Sequence, residues 1–295
     1  MGNPMTNRKC IRCGALNLDT AAACRVCQVD LNPVRPSFAW RVQQPPTLAW
    51  TQGSIRSNTT TPIRPFHQFG DVLGPALHLF IKNIWLITKL TFVIVAPFEI
   101  FKTLSVEGGQ DSWELTIGTY TLDALCRVLI APALIYALMR RMETGTRPGI
   151  NESYSWGFSK LGKLIVCALL AWLLTGLGLA LCIVPGIIIG VALELVFPLA
   201  ILEKGSPADV LRRSAELTKG RRGEIFGALF VLWLLIGIIS LPTLGAVTYM
   251  QRNEGGFLPL QIGAAIFVDI LEQAKTVMSL VIYLSIRALW SQGTQ

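Results

Sequence analysis

Charge is scarce in this sequence. Lys, Arg, Asp and Glu make up 15% of its 295 residues, where an ordinary soluble domain carries about 25%. With 52% hydrophobic residues, a wholly water-soluble chain and a wholly disordered one are both excluded. Histidine is nearly missing, with only His67 and His78. No G-x-S-x-G elbow, Walker loop or H-E-x-x-H helix occurs, so serine-hydrolase, P-loop and zincin chemistry have no anchor. The chain is expected not to be an enzyme. The stretch from Met1 to Asp30 also lacks an apolar core, so no secretory signal is expected there and the head should stay where it is made.

What charge there is falls unevenly. Residues 1–67 hold 8 Lys/Arg against 2 Asp/Glu, and the remainder holds 18 against 16. The head also holds four of the seven cysteines, Cys10, Cys13, Cys24 and Cys27, as C-x2-C-x10-C-x2-C. Zinc takes four thiolates as a tetrahedron, and two C-x2-C turns close that shell. A span this short cannot build a hydrophobic core, so a metal would supply the folding energy. A four-cysteine shell leaves no open position, which makes such a site structural. The alternative, two disulfides, needs an oxidising compartment. Arg8, Lys9, Arg12 and Arg25 are too scattered to track phosphates, so nucleic acid is not the expected partner. A cytoplasmic protein is.

The segment KCIRCGALNLDTAAACRVCQVDL resembles the short zinc-ribbon family found at the ends of many prokaryotic proteins. The likeness lies in Cys10, Cys13 with Gly14, Asp19, Cys24, Cys27 and Leu31. Gln28 stands where that family usually has glycine. The resemblance implies a zinc-bound head over residues 1–32.

Residues 33–66 form a Pro-rich linker, with Pro33, Pro36, Pro45, Pro46, Pro62 and Pro65 and no surviving periodicity. It reads as a semi-extended tether. Trp40 and Trp50 suit either a membrane interface or an incidental position in that tether. A membrane domain over residues 67–290 follows, then a short tail, 291–295. A span needs about 20 apolar residues to cross roughly 30 Å of hydrocarbon. Six candidates run 84–104, 115–139, 163–184, 186–203, 225–248 and 260–286. Cys182-Ile183-Val184-Pro185-Gly186 reads as a tight turn between the third and fourth.

Orientation follows from the loops. Arg140, Arg141, Arg147, Lys160 and Lys163 follow span 2, and Lys204, Arg212, Arg213, Lys219, Arg221 and Arg222 follow span 4. The other loops are poor in cations, so both termini are expected in the cytoplasm of a bacterial inner membrane. Amphipathic segments precede spans 1, 3 and 5. The first sets Phe69, Val72, Leu73, Ala76, Leu77, Phe80 and Ile81 at helical spacing, with Pro75 as its expected start. The second sets Tyr154, Phe158, Leu161 and Ile165 on one face after an Asn151 cap. The third opens with Ser206, Pro207 and Asp209 as a capping box and puts Val210, Leu211, Ser214 and Leu217 on its apolar face. Such helices lie in the membrane interface.

The pattern predicts an all-α polytopic membrane protein: six transmembrane helices and three interfacial amphipathic helices in three parallel repeats, plus a small N-terminal zinc ribbon. Pro185-Gly186-Ile187-Ile188-Ile189, Phe197-Pro198, Glu203 and the run Leu211-Arg212-Arg213-Ser214-Ala215-Glu216-Leu217-Thr218-Lys219-Gly220 resemble the membrane domain of glycerophosphoryl diester phosphodiesterases and related uncharacterised bacterial membrane proteins. Val281 to Arg287 is similar to that family's last span, with Ser285 where an acidic residue is usual. The likeness covers residues 67–293. It implies a topology and no activity, since catalysis in the phosphodiesterases belongs to a separate soluble domain.

Charge inside lipid is costly and marks function by default. Asp123 and Arg127 stand one turn apart and are expected to neutralise each other. Glu194 has no partner in its own helix. Asp269, Glu272 and Lys275 sit in span 6. These groups form either a polar cavity for an ion or headgroup, or interhelical glue. Cys126, Cys167 and Cys182 read as small packing residues. Arg212, Arg213, Lys219, Arg221 and Arg222 are candidates for anionic lipid headgroups, at about 1 kcal/mol per cation. The expected function is a membrane scaffold whose zinc ribbon contacts a protein partner. The alternative is a lipid or small-solute transporter or membrane-assembly factor using a polar bundle interior.

Overall fold

A computed structural model describes residues 7–9, 16–18, 66, 68–106, 113–254 and 258–292. The chain divides into two compact units, residues 1–44 and 45–295. In the first, strand β1 (Asn7–Lys9) pairs antiparallel with β2 (Leu16–Leu18), with Asn7 opposite Leu18 and Lys9 opposite Leu16. Cys10, Cys13, Cys24 and Cys27 lie outside the described residues, as do residues 33–65 of the linker.

The second unit is helical throughout its described residues. Its order is α1 (Gly70–Lys82), α2 (Ile84–Val106), α3 (Trp113–Thr144), α4 (Ile150–Phe158), α5 (Leu161–Leu181), α6 (Ile183–Ala192), α7 (Val196–Leu202), α8 (Pro207–Leu217), α9 (Arg222–Glu254) and α10 (Leu258–Gln292). A short helix followed by two long ones therefore recurs three times, and in the second round the last long helix is broken into α6 and α7. Among the described residues four stretches are long and apolar enough to cross a membrane: Ile84–Lys102, Leu161–Leu181, Ile183–Leu202 and Arg222–Thr243. Helices α3 and α10, at 32 and 35 residues, are about 48 and 52 Å long. Length is no obstacle for them, but their charges interrupt the apolar run.

Those charges explain the packing. Residues 277–286 of α10 are buried without a break, and α3 is buried at residues 130–135 and 137–139. The four apolar helices instead turn large hydrophobic side chains outward. Trp85 is 73% exposed, Leu173 67% and Trp233 64%. Water would not tolerate so continuous an apolar surface, whereas hydrocarbon is indifferent to it. The polar helices thus sit inside and the apolar ones outside, as lipid requires.

The third elbow forms as its sequence predicts. Ser206 caps α8, Asp209 completes the box, Pro207 opens the helix, and Val210, Leu211, Ser214 and Leu217 are the buried face. The other two elbows differ. Helix α1 starts at Gly70, and Pro75 lies inside it. Phe69 and Ile81 are exposed rather than part of the packed face. The cap of α4 is Gly149, with Asn151 already helical, and Leu161 and Ile165 belong to α5.

The turn between α5 and α6 is shorter than expected. Cys182 alone, in extended backbone, separates them, and Pro185 falls in the first turn of α6, where its missing N–H costs nothing. The two helices close tightly because glycines meet: a Cβ on Gly178 would stand 3.0 Å from the Gly186 Cα. At the C-terminus, α10 continues to Gln292, so the expected tail at 291 begins as helix.

Candidate functional site: a polar ladder along the last helix

Helix α10 carries Asp269, Glu272, Lys275, Ser279, Tyr283 and Arg287. Successive members are three or four residues apart, so they climb one face of the helix. From first to last the stripe rises about 27 Å, close to the thickness of the hydrocarbon layer. Glu272, Ser279 and Tyr283 each meet a polar side chain from elsewhere in the bundle.

At the lower rung, Lys102 of α2 holds Glu99 at 2.5 Å and reaches Asp123 of α3 at 3.3 Å. Glu99 is only 3% exposed. Beside them is a cavity of about 10 Å³ whose polar lining is Glu99, Asp123, Cys126, Arg127, Asp269 and Gln273. That is the lower limit for a single water and far below the size of a headgroup. One turn on, Arg127 pairs with Glu272, and Lys275 stands 3.6 Å from the same carboxylate. Asp123 and Arg127 therefore do not neutralise each other along α3. Each takes a partner across the bundle, because both face other helices where opposite charges are already presented.

The middle rung is Glu194. It sits in the turn Leu193-Glu194-Leu195 between α6 and α7, flanked by two buried leucines. The Ser279 hydroxyl lies 2.5 Å from its carboxyl. The break leaves the Ala192 carbonyl without the helical donor it would otherwise have, since the Val196 amide bonds Leu193 instead. Helix α8 supplies the replacement: the Ser214 hydroxyl donates to Ala192 O at 2.8 Å, and Thr218 lies 3.4 Å from it. The serine and threonine of the third elbow thus clasp the broken helix that carries Glu194.

At the upper rung the Tyr283 hydroxyl donates to Glu203 at 2.9 Å, and Arg287 to Tyr283 at 3.4 Å. The Lys163 ammonium donates to the Glu203 carbonyl at 2.7 Å. The start of α5, the end of α7 and the last turns of α10 therefore meet at one end of the bundle. The second elbow is fastened there too. Tyr154 donates to Leu90 O at 2.5 Å, and burial pushes its phenol pKa above the usual value.

The five headgroup candidates sit around α8, and most are engaged. Arg212 and Arg213 reach Glu216 at 3.0 and 3.9 Å. The Arg221 guanidinium stands 5.6 Å from the Phe66 ring. Arg222 donates to Ala215 O at 3.3 Å. Lys219 is exposed in the turn after α8. Hydrogen bonds from Ser206 hold the Asp209 carboxyl below its usual pKa, so α8 opens on a fixed negative charge.

The sequence shows Glu194, Asp269, Glu272 and Lys275 as charges inside apolar spans and suggests Asp123 and Arg127 as a pair within one helix. Sequence reasoning missed Glu99, Ser279 and Tyr283, and it missed the ladder. The spacing on α10 was the available signal. The partners come from α2, α3, α6–α7 and the α7–α8 loop, which no local pattern links. Cys126 and Cys167 are buried, as packing residues are, but Cys182 is exposed. Among the described residues no group of His, Cys, Asp and Glu is placed to hold a metal. No protein-family model, curated protein or solved structure matches this chain.

Proposed function

We propose that the chain is a membrane-embedded scaffold whose head is a zinc ribbon that docks a cytoplasmic protein. Six helices cross the bilayer in this reading, with α3 and α10 joining the four apolar spans. Both termini then lie on the cytoplasmic side of a bacterial inner membrane. The observation that carries the proposal is the closed interior. Asp123, Arg127, Glu272 and Lys275 are ion-paired, and the cavity beside Asp123 and Arg127 admits about one water. That space joins helices and offers no room for a lipid headgroup.

The head is supported more narrowly. Strands β1 and β2 flank in sequence the segment that carries Cys10-x2-Cys13, an order that suits a metal knuckle. Cys10, Cys13, Cys24 and Cys27 would hold a structural zinc that fixes the fold of the head and takes no part in chemistry. The resemblance to a zinc ribbon, and of residues 67–293 to the phosphodiesterase membrane domain, fits this reading. The short–long–long order supports the repeat.

The test is a mild-detergent pull-down of the full chain against a Cys10→Ser/Cys13→Ser form, with bound protein, lipid and zinc identified together. The expected result is zinc in the native chain, with zinc and a protein partner both lost from the variant. An unchanged protein set with a retained lipid overturns the scaffold and favours the second reading, a lipid or small-solute transporter or membrane-assembly factor. The ladder is the observation that speaks for that reading.

A further inference from the structure

Ser279 has one hydroxyl proton and two acceptors within reach. Its Oγ lies 2.5 Å from Glu194 Oε1 and 3.0 Å from the Lys275 carbonyl one turn back. A serine in a helix readily donates to that carbonyl. If it does, the Glu194 contact is left as two oxygens with no proton between them. If Ser279 donates to Glu194 instead, the Lys275 contact is lost. One arrangement satisfies both: Glu194 protonated and donating to Ser279 Oγ, with Ser279 donating to Lys275 O.

The surroundings favour that arrangement. Five carboxyl groups, Glu99, Asp123, Glu194, Asp269 and Glu272, stand against three cations, Lys102, Arg127 and Lys275. Ionised throughout, the cluster would hold two uncompensated negative charges in the bundle, which is costly in hydrocarbon. Other groups on the elements packed against α6 and α7 do not neutralise Glu194. From α10, Lys275 is the charge it feels, but Lys275 is paired with Glu272 and sits beside Arg127. Tyr283 is engaged at Glu203, and Arg287 at Tyr283. From α3, no charged residue stands between Arg127 and Arg140, and Tyr136 bonds Glu152. From α5, Cys167 is a thiol and Lys163 bonds the Glu203 carbonyl. Helix α8 presents Ser214 and Thr218, which hold Ala192. Helix α9 has no charged residue between Glu224 and Arg252, and its one titratable group there, Tyr249, is exposed.

We propose that Glu194 is a proton-binding site, and that its proton holds the α6–α7 break closed against α10. On release, the O–H bond breaks, the carboxylate keeps the electron pair and the proton passes to water. Glu194 is half-buried. The Ser279 hydroxyl then turns to the carboxylate and abandons Lys275 O. The charge left between Leu193 and Leu195 then draws water to the break, which loosens from α10. The Ala192 clasp carries that movement to α8 and the basic loop around it. The site serves a scaffold or a transporter equally, so its failure leaves the proposed function standing, and the converse.

The test uses the full chain in phosphatidylcholine–phosphatidylglycerol vesicles. Infrared spectra at neutral pH are compared for the native chain, Glu194→Gln and Ser279→Ala. The native chain should show a carboxylic-acid carbonyl component that is missing from E194Q and shifted to higher frequency in S279A as its hydrogen bond is lost. Hydrogen exchange at residues 193–198, corrected for the intrinsic effect of pH, should rise roughly tenfold from acid to alkaline buffer in the native chain, and stay flat in E194Q. Should E194Q not fold, the S279A shift decides alone. A spectrum with no carboxylic-acid band sensitive to either substitution overturns the proposal, as does exchange that rises equally in E194Q.

Discussion

A single carbonyl shows how the elbow and the bundle depend on each other. Ala192 O loses its helical donor at the break and is met by Ser214 and, at longer range, by Thr218. Ser214 and Thr218 are both completely buried. The Ser214→Ala/Thr218→Val double substitution removes the donors and keeps the volume nearly constant. A buried acceptor left without a donor costs about 1–3 kcal/mol, so the double variant should unfold at lower denaturant in detergent by that amount. Arg212→Ala, which loses an exposed pair with Glu216, should fall within about 1 kcal/mol of the native chain. Equal stability of the two variants would remove the clasp from the account. Both hydroxyl residues are visible in the sequence, and Pro198 withholds the amide that would meet the Glu194 carbonyl, but nothing in residues 183–202 links the break to Ser214 and Thr218.

The hairpin of α5 and α6 is held by backbone proximity. A Cβ on Gly186 would lie 2.6 Å from the Leu179 amide nitrogen, closer than real atoms approach, and a backbone nitrogen cannot step aside as a flexible side chain would. Gly186→Ala should therefore part the two helices and destabilise the bundle by about 1–3 kcal/mol, the usual cost of overpacking. Gly176→Ala is the control. It has nothing within 4 Å of the added carbon and should gain several tenths of a kcal/mol from helix propensity alone. Thermal melting of the purified chain reads both, and a neutral Gly186→Ala would mean that the hairpin can open freely. The sequence marks the turn through Pro185-Gly186 but misplaces it. Gly186 is needed inside α6 for close packing, and the chain reverses at Cys182.

Across the whole molecule, the start of α5, the end of α7 and the last turns of α10 meet at one end of the bundle, where Lys163, Glu203, Tyr283 and Arg287 are linked. In the proposed topology the loop between α2 and α3 faces the periplasm. A cysteine placed in the 105–112 loop of an otherwise reactive-cysteine-free chain should react with an impermeant maleimide from the periplasmic side of intact cells. Labelling only after the cytoplasmic face is opened would reverse the stated orientation. It would also put the head in an oxidising compartment, where four cysteines tend to disulfides instead of zinc. The architecture as a whole separates two kinds of helix. Four meet lipid with exposed leucine, tryptophan and phenylalanine, and the two that carry charge occupy the interior.

The sequence by itself determined the helical class, the positions of the four apolar spans, the short–long–long order and the third elbow down to its cap and buried face. Each of these is written locally, in hydropathy over about 20 residues or in a capping pattern over four, and local free energy suffices to impose them. Tertiary structure alone decided which charges are partners, that α6 and α7 are separate, and that Asp269 through Arg287 form a continuous ladder. Those outcomes depend on groups brought together from helices up to 170 residues apart, Glu99 and Asp269 among them. In an interior that lacks water, each polar group must find its complement on whichever helix packing places beside it.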